Sequence, residues 1–230
     1  MDTRMDIGKS FAFVFEDTEW ARKVVIGALI SLIPVIGQMA ALGYMITVGR
    51  NVIRRNPQPL PEWDDFGQFL VDGFYTFVIG LIYSLPIIIL LCIFVLPLMA
   101  VSGGFSQNGD MGPLGIAAWC CFAFFSVIYG VVIGWFFVPV ALARYADTGD
   151  LAASLRIAEI WEMGRANPGV FLVALLVYLA ASLVAGVGII ACGIGVLFTQ
   201  FYAYLVIGHI YGQAYRLARG ETMSGDVVQK

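Results

Sequence analysis

The chain has 230 residues and a formal net charge of -3, and it is 60% hydrophobic with only 13% charged residues. Soluble domains average about 25% charged residues, so an ordinary water-soluble fold is excluded, and the mild acidity removes the basic field that nucleic-acid binding requires. Apolar runs longer than about 18 residues recur, enough to cross a hydrocarbon core about 30 Å thick, and they are continuous, unlike the alternating segments of about ten residues in a transmembrane β-barrel.

Residues 1–20 mix Asp2, Asp6, Glu16, Asp17 and Glu19 with basic residues. They offer no short apolar core ahead of a small-residue cleavage site, so no secretory signal is expected. Residues 6–18 read as an amphipathic helix. Asp6 suits an N-cap, and Ile7, Phe11, Val14 and Phe15 fall on one face, with Phe13 off it. Such a helix lies at the membrane interface or rests on the bundle. Residues 21–55 form a first hairpin. The apolar run 24–49 is interrupted at Pro34-Val35-Ile36-Gly37, and basic residues flank both ends: Arg22 and Lys23, then Arg50, Arg54 and Arg55. The positive-inside rule puts both ends in the cytoplasm and selects two short helices over one kinked helix. The first of them covers only about 21 Å, short of a full crossing.

Residues 56–73 read as a cytoplasmic loop and interfacial helix. Pro61 suits its first position and Glu62, Asp64 and Asp65 its first turn, with Trp63, Phe66 and Leu70 as an apolar stripe. Residues 74–143 form a second hairpin, with kinks expected at Pro86 and Pro97 and a glycine-rich turn over 102–113. On its return helix Trp119 and Trp135 stand about 24 Å apart by helical rise, the separation of two aromatic belts. Residues 144–167 are a second cytoplasmic interfacial helix, preceded by the turn Asp147-Thr148-Gly149-Asp150. Leu151, Leu155, Ala158 and Trp161 recur in it at helical spacing. Pro168 opens a third hairpin over 168–217, which turns between Gly186 and Gly195. Residues 218–230 are a polar tail.

The prediction is one all-α domain, a polytopic membrane helix bundle. About six transmembrane helices in three hairpins put all 13 Lys and Arg residues on the cytoplasmic side with both termini. Asp6-Ile7-x-x-Ser10-Phe11 and Asp150-Leu151-x-x-Ser154-Leu155 share a spacing that a threefold repeat or chance would leave.

Gly43-Tyr44, Arg50, the run Leu60-Pro61-Glu62-Trp63-Asp64-Asp65 with Gly67 and Asp72-Gly73, and Arg144-Tyr145-Ala146 to Asp150 resemble the prokaryotic membrane family called domain of unknown function 4013. The resemblance covers most of the chain, and the Leu-Pro-Glu-Trp-Asp-Asp run is its most specific part. It implies a multi-helix integral protein of a prokaryotic cell membrane and brings no substrate, cofactor or catalytic residue.

Site chemistry is sparse. His209 is the single histidine, and no HExxH, GxGxxG or P-loop spacing occurs. No catalytic residue, cofactor or metal is expected. Cys92, Cys120, Cys121 and Cys192 form no CxxC pair and read as small buried hydrophobes. On the last helix Thr199, Tyr202, His209 and Gln213 share a stripe with Val206. The stripe suits a substrate or proton path, or helix–helix glue worth about 0.6 kcal/mol per partner, and glue is the reading favoured. Gly130-x-x-x-Gly134 and Gly208-x-x-x-Gly212 permit close helix approach, although about three such pairs arise by chance among 26 glycines. Arg50, Arg54, Arg55, Glu62, Trp63, Asp64 and Asp65 are candidate docking or headgroup contacts. The arginines act first as a topology signal, stand near enough to pair with the acids, and attract anionic headgroups at about 1 kcal/mol each. The expected partners are the lipid bilayer and a membrane or cytoplasmic protein. The expected role is a non-catalytic scaffold or accessory subunit of a membrane assembly, with a small-solute or lipid transporter as the alternative.

Overall fold

In the computed structural model residues 5–101, 112–188 and 194–221 are described, and every regular element among them is helical. In order these are α1 (Ile7–Glu16), α2 (Trp20–Ile30), α3 (Ile36–Ile53), α4 (Phe66–Leu90), α5 (Leu96–Val101), α6 (Pro113–Val132), α7 (Val138–Thr148), α8 (Leu151–Ser154), α9 (Ile157–Ala166), α10 (Pro168–Val187) and α11 (Ile194–Ala218). The stretches Trp63–Val101, Pro113–Val132 and Pro168–Val187 are long and apolar enough to cross a membrane. Cys192, Gly193, the turn over 102–111 and the tail from 222 lie outside the described residues, as does the side chain of Trp135.

Local chemistry sets the helix ends. Asp6 caps α1 by accepting the Lys9 N–H at 2.8 Å, and Asp150 caps α8 by accepting that of Ala152 at 2.9 Å. Ser10 and Ser154 then donate to the carbonyls of these same aspartates, at 3.2 and 3.3 Å. The two similar hexapeptides therefore share a local geometry. Between α2 and α3 the chain turns at Pro34 and Val35, the latter at φ 67°, so run 24–49 is two helices. At 11 residues, α2 rises about 16 Å.

Pro86, Pro97 and Pro139 lie inside helical stretches. Helix α4 continues through Pro86. A π turn, Leu91–Val95, comes just before Leu96-Pro97, and a second, Ile133–Phe137, just before Val138-Pro139. Proline lacks an N–H and its ring crowds the carbonyl four residues back. Widening the helix by one residue, with Leu96 and Val138 donating to Leu91 and Ile133, moves that carbonyl aside.

Helix α3 is central, and backbone contact fixes it on both sides. A Cβ added at Gly43 would stand 1.8 Å from the Phe69 carbonyl oxygen, and one at Gly73 equally near that of Met39. These contacts run in opposite directions along the chain, so α3 and α4 are antiparallel. On the other side Gly208 meets the Met45 carbonyl and Gly212 meets Gly49 and Val52, so α3 and α11 run parallel. Of the two glycine pairs, Gly208 and Gly212 form an interface, whereas Gly130 and Gly134 have nothing within 4 Å of an added Cβ.

Four expectations are corrected. The helix expected over 60–73 is a strap followed by one 3-10 turn, Trp63–Asp65, and the first turns of the long α4. Over Leu60-Pro61 the chain is held as a strap by the Tyr44 hydroxyl, which donates to the Pro61 carbonyl at 2.7 Å. The buried face of α1 is Ser10, Phe13 and Val14, while Ile7 and Phe15 point outward, because its seat on α11 is polar. The interfacial helix after residue 150 is broken between α8 and α9. Finally, Cys92, Cys120 and Cys121 are exposed, since they belong to the outward apolar surface.

Candidate functional site

The stripe on α11 is the seat of α1. The Asp6 N–H donates to Gln213 Oε1 at 2.9 Å. A backbone N–H can only donate, so this bond fixes the amide orientation, and Gln213 Nε2, with two hydrogens to give, faces the Asp6 carbonyl, Ser10 Oγ and His209 Nδ1 at 3.1–3.2 Å. Ser10 Oγ stands 3.1 Å from the same nitrogen, and the Phe13 ring stacks on the imidazole at 4.3 Å. Further along, the Tyr202 hydroxyl donates to the Phe11 carbonyl at 2.7 Å. Thr199 donates to the Ala185 carbonyl of α10 at 2.9 Å. The four stripe residues thus bind neighbouring helices.

The Leu60–Asp65 run is a strap across α2 and α3. Lys23, 3% exposed, reaches Asp17 and Glu62 at 2.7 Å each and the Leu60 carbonyl at 3.3 Å. Trp63 stacks on Tyr44 at 4.6 Å, and its Nε1 donates to the Lys23 carbonyl at 3.0 Å. Burial works against charge here, but it is outweighed: the carboxylates beside Lys23 raise its pKa above the ordinary value, and the Lys23 ammonium holds Asp17 below its own. Glu62 thus answers Lys23 and Arg22, while Asp64 and Asp65 are exposed.

Arg50 is turned inward. Its Nη1 and Nη2 meet the two oxygens of Asp72 at 2.9 and 3.2 Å, and its Nε donates to the Ala146 carbonyl at 3.0 Å. The Tyr145 hydroxyl donates to the same Asp72 at 2.8 Å. This inward pair ties together α3, α4 and α7. The residues that carry the family resemblance therefore converge physically. Gly43 and Gly73 set the α3–α4 contact, Tyr44 holds the strap, and Arg50, Asp72, Tyr145 and Ala146 form one buried network. Asp17, Lys23 and Ser10 were not singled out from the sequence. Their signal was a charge or hydroxyl on a face that otherwise reads as apolar.

At the other end of the molecule the surface is apolar and cleft. A space of about 510 Å³ lies between α4, lined by Gly80, Tyr83 and Ser84, and α6 with the following π turn, lined by Ser126, Tyr129 and Gly130 among others. Tyr129 donates to the Tyr83 carbonyl, and Ser126 Oγ is buried with no hydrogen-bond partner among the described residues. Among those residues no group of three or more His, Cys, Asp or Glu could hold a metal ion.

A family model described as "Protein of unknown function (DUF4013)" matches residues 26–194. No curated protein and no solved structure matches the chain.

Proposed function

Because the chain belongs to that family of proteins of unknown function, whose description carries no activity, we propose from the geometry that it is a multi-pass membrane scaffold. In this reading it is a non-catalytic accessory subunit of an assembly in a prokaryotic cell membrane, with six crossings and both termini in the cytoplasm. The observation that carries it is the division of labour between polar and apolar surface. The polar stripe of α11 is taken up by contacts to α1 and, at Thr199, to α10, while the cleft between α4 and α6 opens outward and is mostly apolar, with the hydroxyls of Tyr83, Ser84, Ser126 and Tyr129 in its wall.

The ion pairs support the topology. Those joining Arg22, Lys23, Arg50, Arg55, Arg144, Arg216 and Arg219 to carboxylates all link segments assigned to the cytoplasmic side. Parallel α3 and α11, each the second helix of its hairpin, agree with the same threading. The cleft is where a transmembrane helix of a partner would lie, because small side chains let helix backbones approach closely in lipid.

The test is the size of the complex extracted in mild detergent. The native chain should migrate as a larger assembly. Gly130→Leu, which fills the cleft from a position with open space around it, should release the single chain with its unfolding temperature retained. Uptake of a solute into reconstituted vesicles, abolished by His209→Leu in a protein that stays folded, would overturn the scaffold reading in favour of transport.

A further inference from the structure

Helices α3 and α11 lie side by side, run parallel and end alike. At the end of α3 the Asn56 N–H donates to the Asn51 carbonyl at 2.9 Å and the Arg55 N–H to that of Val52 at 3.1 Å. At the end of α11 the Glu221 N–H donates to Arg216 at 3.0 Å and the Gly220 N–H to Leu217 at 2.9 Å. Both are the same left-handed cap, and they differ at the residue that takes positive φ. In α11 it is Gly220 at 79°, whereas in α3 it is Arg55 at 58°. Glycine enters this conformation freely and a side chain resists it. Such an outlier points to a role for the side chain held there.

That side chain turns back to meet the other helix end. Arg55 Nη2 and Arg216 Nε both donate to one oxygen of Glu221, at 3.1 and 3.3 Å. Arg216 is 2% exposed, yet its Nη2 is buried with no hydrogen-bond partner among the described residues. Two guanidinium groups against one carboxylate leave a local excess of one positive charge. A buried guanidinium N–H without an acceptor marks a place for a water or an ion.

We propose that Arg55 and Arg216 form a binding site for a phosphate group, and that the Glu221 carboxylate is an internal stand-in which the phosphate displaces. A second carboxylate would repeat what Glu221 already does and leave Nη2 bare. A phosphate offers more acceptor oxygens, and the guanidinium fork matches two of them at once. The exchange is open to solvent, because the side chains of Arg55 and Glu221 are 46% and 30% exposed. The phosphate belongs either to an anionic lipid headgroup or to a soluble compound. The proposal does not depend on the scaffold reading.

The experiment titrates the full-length protein in neutral detergent with inorganic phosphate in one arm and phosphatidylglycerol in the other, reading bound probe by native mass spectrometry and unfolding temperature alongside. Saturable binding in the first arm assigns a soluble phosphate, and saturable binding in the second alone assigns a headgroup. In either case Arg55→Gly should weaken binding about tenfold, the effect of losing one hydrogen bond to a charged group, while its unfolding temperature holds or rises because the strained residue is gone. Glu221→Gln should tighten binding, since the internal competitor is then neutral. Absence of saturable binding in both arms, undiminished binding by Arg55→Gly, or binding by Glu221→Gln no tighter than native would each overturn the site.

Discussion

Two helices of nearly equal length, α3 with 18 residues and α6 with 20, meet opposite surroundings. More than half of α3 is buried, from Gly37 through Ala40, Tyr44 and Val48 to Ile53, with backbone contact to α4 and α11 on two sides. On α6 Gly115 is the residue that counts as buried, while Phe124, Phe125 and Val127 are 57–66% exposed. The difference lies in what each sequence offers its neighbours. Helix α3 presents glycines at backbone crossings together with Tyr44 and Arg50, whose polar tips find partners. Helix α6 presents large apolar groups on every side, and its Gly130 and the Gly134 of the π turn that follows stand beside open space. The first arrangement holds the fold together. The second leaves a surface for lipid or another helix.

The largest expected effect is on the α3 side. Asp72→Ala strands the Arg50 guanidinium, whose side chain is only 14% exposed, and should cost about 3–5 kcal/mol, the range for breaking a buried pair on one side. Thermal unfolding in detergent measures it. An effect under about 1 kcal/mol would place the pair in the solvent-screened class and break the contrast with α6.

His209→Leu should cost less, about 1–2 kcal/mol, the upper range for interhelical hydrogen bonds in membranes. It should also speed hydrogen exchange in α1 while leaving that of α4 unchanged. Equal acceleration throughout would mean that the stripe supports the whole bundle and is no seat for one helix.

The smallest effect is electrostatic. Asp17 sits below its ordinary value of 3.8, so its contribution is complete above that pH and is lost as pH falls through the lowered pKa. Lys23 sits above its ordinary 10.5, so its contribution is complete below that pH and is lost as pH rises through the raised pKa. The corner of α1, α2 and the strap should therefore hold constant stability from about pH 4 to about pH 10. A titration step near neutrality, followed by Trp63 fluorescence, would assign the corner to another group.

The sequence made the helical class and several helix ends legible, because caps and prolines act locally: Asp6, Asp150 and Pro168 stand where their chemistry puts them. It made the strap and the buried face of α1 illegible. In both, the apolar period competed with a tertiary partner, Tyr44 for Pro61 and His209 for Ser10, and the partner won. The π turns were hidden for a related reason. Proline predicts a disturbed ladder, but whether the helix kinks, widens or runs on through it is set by neighbours, as Pro86 and Pro97 demonstrate in one helix. Of the candidate residues, the stripe was legible as a stripe because it lies on one helix. The Arg50 network was not, because it joins three.

The central claim is that backbone-close packing holds the α3 side and is missing from the α6 side. Alanine placed at Gly43 and, separately, at Gly130 tests it most directly, by comparing unfolding temperature and folded yield in detergent. The account predicts that Gly43→Ala, whose new methyl would stand 1.8 Å from a backbone carbonyl, loses about 1–3 kcal/mol or fails to fold. Gly130→Ala, with nothing within 4 Å, should be neutral or gain up to about 1 kcal/mol from helix propensity. Equal losses at the two positions would contradict it.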